Sequence, residues 1–189
     1  MDSSQQPARS SIRDESFVAS VIARCHQDKG LAARLSRADN PSTECQSWDL
    51  LSGYGVNLEH AYERLPFAIV GAHIAKLKAT SNGRLSLGRA IAGCYEDGNR
   101  SDQAKARLRR VLACGDPIEL YRVLRPLLAL IGSRRGPVLD FARLLRQLRQ
   151  FGMAAHMGDD GWLQNIKAQW AQEFYGHAVE VTDKDGTEA

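Results

Sequence analysis

The stretch "SDQAKARLRRVLACGDPIELYRVLRPLLALI", residues 101–131, decides the fold. It reads as two helices joined by a tight turn. The first opens on Ser101 or Asp102, whose side-chain oxygens suit free backbone amides, and stops at Gly115. Asp116-Pro117 restarts the chain with a capping carboxylate and then a proline at the first helical position, where its missing N–H is harmless. Ala104, Leu108, Val111 and Leu112 share one side of the first helix. Leu120, Leu124, Leu127, Leu128 and Ile131 share one side of the second. Pro126 removes an amide donor within that pattern and is expected to kink or interrupt it.

The helical period extends outward from there. Upstream, "RDESFVASVIARCHQ" spaces Phe17, Val21 and Cys25 by four, and "GLAARLSRA" does the same for Leu31 and Leu35. After Asn40-Pro41, Trp48, Leu51 and Leu58 mark a looser connection. "LPFAIVGAHIAKLK" is largely apolar, hence central, with Pro66 expected near its N-terminus. Downstream, Gly136-Pro137 is expected to start a helix whose Phe141, Leu144, Leu145, Leu148 and Phe151 fall within about 120°. A last helix from about Asp160 to Tyr175 carries Trp162, Ile166, Trp170 and Phe174, a stripe that reads as core packing. Strand signals are sparse. The chain is therefore expected to be all-α, a bundle of seven to nine helices. Two small lobes, about 13–95 and 100–176, would share a core, with a disordered polar tail over 1–12 and a flexible acidic tail over 177–189.

Composition narrows the function. The 189 residues are 43% hydrophobic with no apolar run near membrane-spanning length and no leader pattern, so a cytoplasmic protein without a membrane partner is expected. Cys25, Cys45, Cys94 and Cys114 form no C-x-x-C pair, which favours reduced thiols over a zinc site. The net charge of +3 conceals an asymmetry: residues 84–151 carry fourteen basic and six acidic side chains, and residues 152–189 two and seven. A basic middle points to a polyanionic partner.

The basic residues follow the helices. Arg143, Arg146 and Arg149 form an i,i+3 ladder, Arg122 and Arg125 lie together, and Lys105, Arg107, Arg109 and Arg110 stand outside the apolar stripe of theirs. Asp102, Glu119 and Asp140 are placed to pair with Lys105, Arg122 and Arg143. The other six have no carboxylate three or four residues before them. One basic face is an ordinary solvated helix; three in succession suit a phosphate backbone, which such contacts hold without reading sequence. Catalytic signals are absent: His26, His60, His73, His156 and His177 form no metal or nucleophile motif, and no G-x-S-x-G elbow exists. A small helical hydrolase or nuclease is thus the weakest reading, and no cofactor or metal is expected.

"GRLSLGRA", Gly83 to Ala90, falls two residues short of the phosphate-loop pattern G-x-x-x-x-G-K-[ST]. Arg89 keeps the charge, but Ala90 has no oxygen for a metal ion. The stretch reads instead as a loop ending at Ser86, the N-cap of a short helix.

Five segments in order resemble the CasB family, the small subunit of the type I-E CRISPR effector complex Cascade. "GRLSLGRAIA" is similar to that family's G-x-SLGRAL signature, and "RLRRVLACGDPIELYRVLRPLLALI" to its arginine-bearing helix, "D…EL" turn and LR-x-L segment. "GPVLDFARLLRQL" is similar to its PLDW-x-x-L-x-x-DL stretch, "IKAQWAQEFY" to its R-x-x-WARDFY ending, and "KGLAARLSRADNP" to its G-x-RA-x-LRRA stretch. Together they cover about residues 15–176. Phe141 stands where the family usually has Trp.

The resemblance implies an all-helical, non-catalytic protein present as two copies in Cascade. It would contact the backbone subunits, the large subunit, the crRNA and both target and non-target DNA, stabilising the guide–target hybrid and the displaced strand. Positions matching the family's basic DNA-contacting residues are Arg37, Arg107 and Arg125. On charge grounds Arg34, Arg89, Arg110, Arg122, Arg143 and Arg146 join them as candidates. A pure assembly scaffold without direct DNA contact is the alternative.

Overall fold

The Asp116-Pro117 signal forms the turn its chemistry dictates. The Asp116 Oδ1 accepts the backbone amides of Ile118 at 2.8 Å and Glu119 at 3.0 Å, and helix Pro117–Arg135 begins there. Ser101 likewise accepts the amide of Ala104, opening helix Asp102–Ala113. The structure, a computed structural model, describes residues 6–136 and 138–176, with side chains from Arg13 onward. The described helices, in chain order, are α1 (Gln6–Gln27), α2 (Lys29–Leu35), α3 (Trp48–Gly53), α4 (Ala61–Leu77), α5 (Leu87–Ala92), α6 (Asp102–Ala113), α7 (Pro117–Arg135), α8 (Phe141–Met157) and α9 (Asp160–Tyr175). Two single 3-10 turns, Glu44–Ser47 and Gly98–Arg100, punctuate the connections. The expected all-α bundle is what forms.

α8 is the hub. It packs against α1, α4 and α9, and Phe141, Leu144, Leu145, Leu148 and Phe151 are all buried. Ala142, Gln147, Gly152 and Ala154 are buried too, so the enclosed arc is far wider than its large apolar side chains suggest. α1 and α4 run side by side in the same direction: Phe17 meets Phe67 edge-on at 4.9 Å, and further along His26 Nε2 contacts the Ala79 carbonyl at 3.1 Å. α9 runs back along α8, its Trp170 indole donating to Gln147 Oε1 at 3.0 Å and its ring stacking on Phe151. Because α8 joins α1 and α4 as well as α9, the two halves of the chain meet in one continuous core.

"GRLSLGRA" is a structural clip. Gly83 and Leu85 donate to the Leu139 and Val138 carbonyls, Asp140 donates back to Leu85, and the segments form an isolated parallel bridge at Leu85 and Leu139. A Cβ at Gly83 would stand 2.2 Å from the Val138 carbonyl oxygen. At Gly88 it would stand 2.5 Å from both the Trp170 oxygen and the Phe174 nitrogen, so glycine lets α5 cross the backbone of α9. Ser86 is the N-cap of α5 by position, yet its buried hydroxyl caps nothing and has no hydrogen-bond partner.

Several boundaries differ from the sequence expectation. α1 reaches back to Gln6, into the stretch read as a disordered tail; Pro7 in its first turn is where a helix tolerates proline. Residues 1–5 and the acidic tail 177–189 lie outside the described residues. α4 begins at Ala61, so Pro66 sits inside the helix rather than at its start. With no N–H there, the Tyr62 carbonyl loses its usual donor, and α8 approaches it closely: a Cβ at Gly152 would lie 2.7 Å from that oxygen. α7 continues through Pro126, which faces solvent, where water can serve the freed carbonyl. α8 starts at Phe141 instead of Gly136-Pro137, because 138–140 are engaged in the bridge and Asp140 Oδ1 caps the Arg143 amide at 3.0 Å.

Candidate nucleic-acid interface

The turn that follows α2 carries Arg37 and Asp39. It is fixed from within: the Arg37 carbonyl accepts the Thr43 hydroxyl at 2.7 Å, and the Arg37 and Ala38 amides donate back to Arg34 and Leu35. The Asp39 carboxylate pairs with Lys76 of α4 and lies 3.7 Å from Arg125 Nε of α7. The fold thus brings Lys76 and Arg125, from two helices, to one carboxylate, two residues along the chain from Arg37. The Asp39 side chain is 11% exposed, those of Lys76 and Arg125 44% and 42%, so the cations face water while the acid lies beneath them. Arg37 is exposed and its guanidinium has no ion-pair partner among the described residues. Arg34, one turn earlier, pairs at 3.4 Å with Asp49 in full contact with solvent, a contact worth at most about 1 kcal/mol.

A groove of about 710 Å³ runs beside this cluster between α2 and the ends of α1 and α4. Its floor is small and apolar (Ala32, Ala33, Ala75, Ala79), and its rim holds His26, Lys29, Lys76 and Lys78. Sequence reasoning missed these lysines. Lys76 and Lys78 end an apolar helix, where cations normally complement the negative end of the dipole, so nothing marked them as more than that.

The other candidates divide by location. Arg89, Arg110 and Arg122 are exposed, Arg107 is half-buried, and no carboxylate pairs with any of them among the described residues. On α6 the buried Ala104, Leu108 and Val111 separate Arg107 and Arg110 on one flank from Lys105 and Arg109 on the other, so its cations are split between two sides. Lys105 takes its expected partner, Asp102, at 3.5 Å. Arg89 sits apart, in a cleft of about 420 Å³ also lined by Arg100, Glu96 and Asp97.

Two rungs of the α8 ladder, Arg143 and Arg149, are tied to neighbouring helices. Arg143 reaches past Asp140, which is occupied as a cap, and pairs with Glu173 of α9 at 2.7 Å. Arg149 pairs with Asp14 of α1, a fully buried carboxylate, and also lies over the Phe67 ring. Burial pushes the Asp14 carboxyl up, and Arg149 opposes that shift. Arg146 is half-buried, with its Nε enclosed and without a partner. The periodicity of this ladder was legible, but its partners come from residues 14 and 173, beyond any local window. The hub position of α8 explains the difference: a helix enclosed by three neighbours has little outer face to give to solvent. Arg143 remains 48% exposed at the edge of a polar cleft of about 370 Å³ shared with Arg146, Gln147, Gln150 and Gln169.

No group of three or more His, Cys, Asp or Glu side chains is placed to hold a metal ion among the described residues. No described helix is long and apolar enough to cross a membrane.

Neither a curated protein nor a solved structure matches the chain significantly. A family model described as CRISPR-associated protein Cse2 does match, over residues 31–175, a span that includes the Arg37 turn, the "GRLSLGRA" clip, α6, α7, α8 and α9. The chain therefore belongs to the Cse2 family, also called CasB, the small subunit of the type I-E CRISPR complex Cascade.

Proposed function

We propose that this small subunit is a non-catalytic holder of nucleic-acid backbones. It grips the guide–target hybrid and the displaced non-target strand in the cytoplasm, working as two copies beside the backbone and large subunits and the crRNA. The observation that carries the reading is that Lys76 and Arg125, two half-exposed cations from separate helices, share the largely buried carboxylate of Asp39, two residues along the chain from the exposed Arg37. Such a surface neutralises phosphates and releases counterions whatever the base sequence. Base pairing by the guide reads the target, and the protein's part is to hold strands open.

Arg37, Arg107 and Arg125 are the principal contacts in this proposal, with Arg34, Arg89, Arg110 and Arg122 as further ones. Arg143 and Arg146 contribute from the α8–α9 cleft, where Glu173 competes for Arg143. The internal pairing of Arg143 and Arg149 means that part of the cationic sequence signal stabilises the fold itself. Titrating the protein with unrelated single strands and duplexes at several salt concentrations tests the proposal. Affinity should fall with salt and be equal across sequences, and Arg125→Ala should weaken all of them alike. Strong preference for one sequence, or no binding by the protein or its complex, would overturn it.

A further inference from the structure

Away from the Asp39 carboxylate, at the N-terminal end of α4, three rings from two segments come together. Tyr62 stacks on His156 of α8 with centroids 4.1 Å apart and planes 16° apart, and His60 lies 5.2 Å from Tyr62 at 19°. α4 is 17 residues long, which puts this end about 25 Å from the lysine groove at the other. The rings line a cleft of about 340 Å³ completed by Glu59, Asp116 and Ile118. No lysine or arginine lines it among the described residues. Asp116 uses Oδ1 to cap α7, the Glu59 side chain is exposed, and among the described residues neither Asp116 Oδ2 nor the Glu59 carboxylate has a partner. Ile118, in the lining, is 47% exposed.

We infer that this cleft receives an arginine side chain from a protein partner. Flat, nearly parallel rings suit a planar guanidinium, which stacks on aromatic faces and pairs with carboxylates in a fork that a lysine ammonium does not offer. The carboxylates of Glu59 and Asp116, with no cation in the lining among the described residues, favour a positive guest and repel the phosphate of a nucleotide. The same acidity disfavours a second copy seated face to face on this patch, because such a contact sets like charges against each other. Ile118 and Pro117 provide the apolar margin against which the neighbouring side chains of the partner segment pack.

The test follows backbone amide resonances of the full-length chain by NMR during titration with N-acetyl-arginine methylamide. Lysine and citrulline analogues and adenosine monophosphate are titrated in parallel. Saturable shifts confined to Tyr62, Gly115 and His156 are expected with the arginine compound, weaker ones with lysine and none with citrulline. Glu59→Gln, which alters only an exposed side chain, should weaken arginine binding about fivefold, and Tyr62→Leu should weaken it at least as much. Citrulline binding as well as arginine would overturn the inference, as would tighter binding of the nucleotide at these resonances. So would shifts there that depend on protein concentration alone, or arginine binding unaffected by Glu59→Gln.

Discussion

Replacing Asp39 by asparagine should make the protein bind nucleic acid more tightly, an unusual direction for a substitution at a proposed interface. In the native protein this carboxylate holds Lys76 and lies 3.7 Å from Arg125, so both cations are partly neutralised before any phosphate arrives. The amide keeps the shape of the carboxylate and removes its charge. Each further phosphate neutralised on a single strand steepens the dependence of log K on log salt by about 0.7, which at 0.1 M is about a fivefold gain in affinity. Releasing one or both cations therefore predicts a slope steeper by about 0.7 to 1.4 and binding tighter by about 5- to 25-fold. The stability cost is small, because Lys76 and Arg125 are more than 40% exposed and regain water. Fluorescence anisotropy with labelled 20-mers of unrelated sequence, from 0.05 to 0.3 M salt, reads both quantities. Arg125→Ala should shift the slope the other way by about 0.7. An Asp39→Asn protein that is folded but binds with unchanged slope and affinity would refute the idea that phosphates occupy this cluster.

Three predictions concern the scaffold. His73 is buried and its pKa is lowered to about 4, by burial first and then by Lys76. The unfolded chain, with its histidine near 6.5, takes the proton first as pH falls. Stability is thus full above about 6.5 and declines toward pH 4 by about 3 kcal/mol, a decline that His73→Met should remove from urea unfolding measured across that range. Gly88→Ala places a Cβ 2.5 Å from backbone atoms of α9 and should cost about 3 kcal/mol by the same assay, whereas Gly53→Ala, with open space around it, should cost nothing. Arg149→Met removes the hydrogen-bonded partner of the buried Asp14, leaving only the weaker influence of Arg146 and Arg13, and should cost about 3 kcal/mol, much of which Asp14→Leu in the same chain restores.

Local chemistry made the fold readable and tertiary chemistry hid part of the site. The Ser101 cap, the Asp116-Pro117 start and the four-residue stripe ending at Phe174 each depend on neighbours within one or two turns, and each forms as read. Pro66 and Pro126 were misleading because proline's cost depends on what surrounds the freed carbonyl: Gly152 crowds against one, and the other proline faces solvent. Arg125 was among the candidates read from the sequence, but nothing in the sequence showed that it shares the Asp39 carboxylate with Lys76. The α8 ladder erred in the opposite sense. Its spacing was visible, while Asp14 and Glu173 come from helices more than 20 residues away and meet it only once the core closes.

The most direct measurement of the central claim is permanganate reactivity of unpaired thymines in the displaced strand, in complexes reconstituted with native protein or with Arg37, Arg107 and Arg125 all changed to Ala. Native complexes should shield thymines along the strand held by the small subunit. The triple variant should assemble to the same extent yet leave those thymines reactive. Equal protection in both complexes, with assembly intact, would contradict the account and leave these arginines without a role in holding nucleic acid.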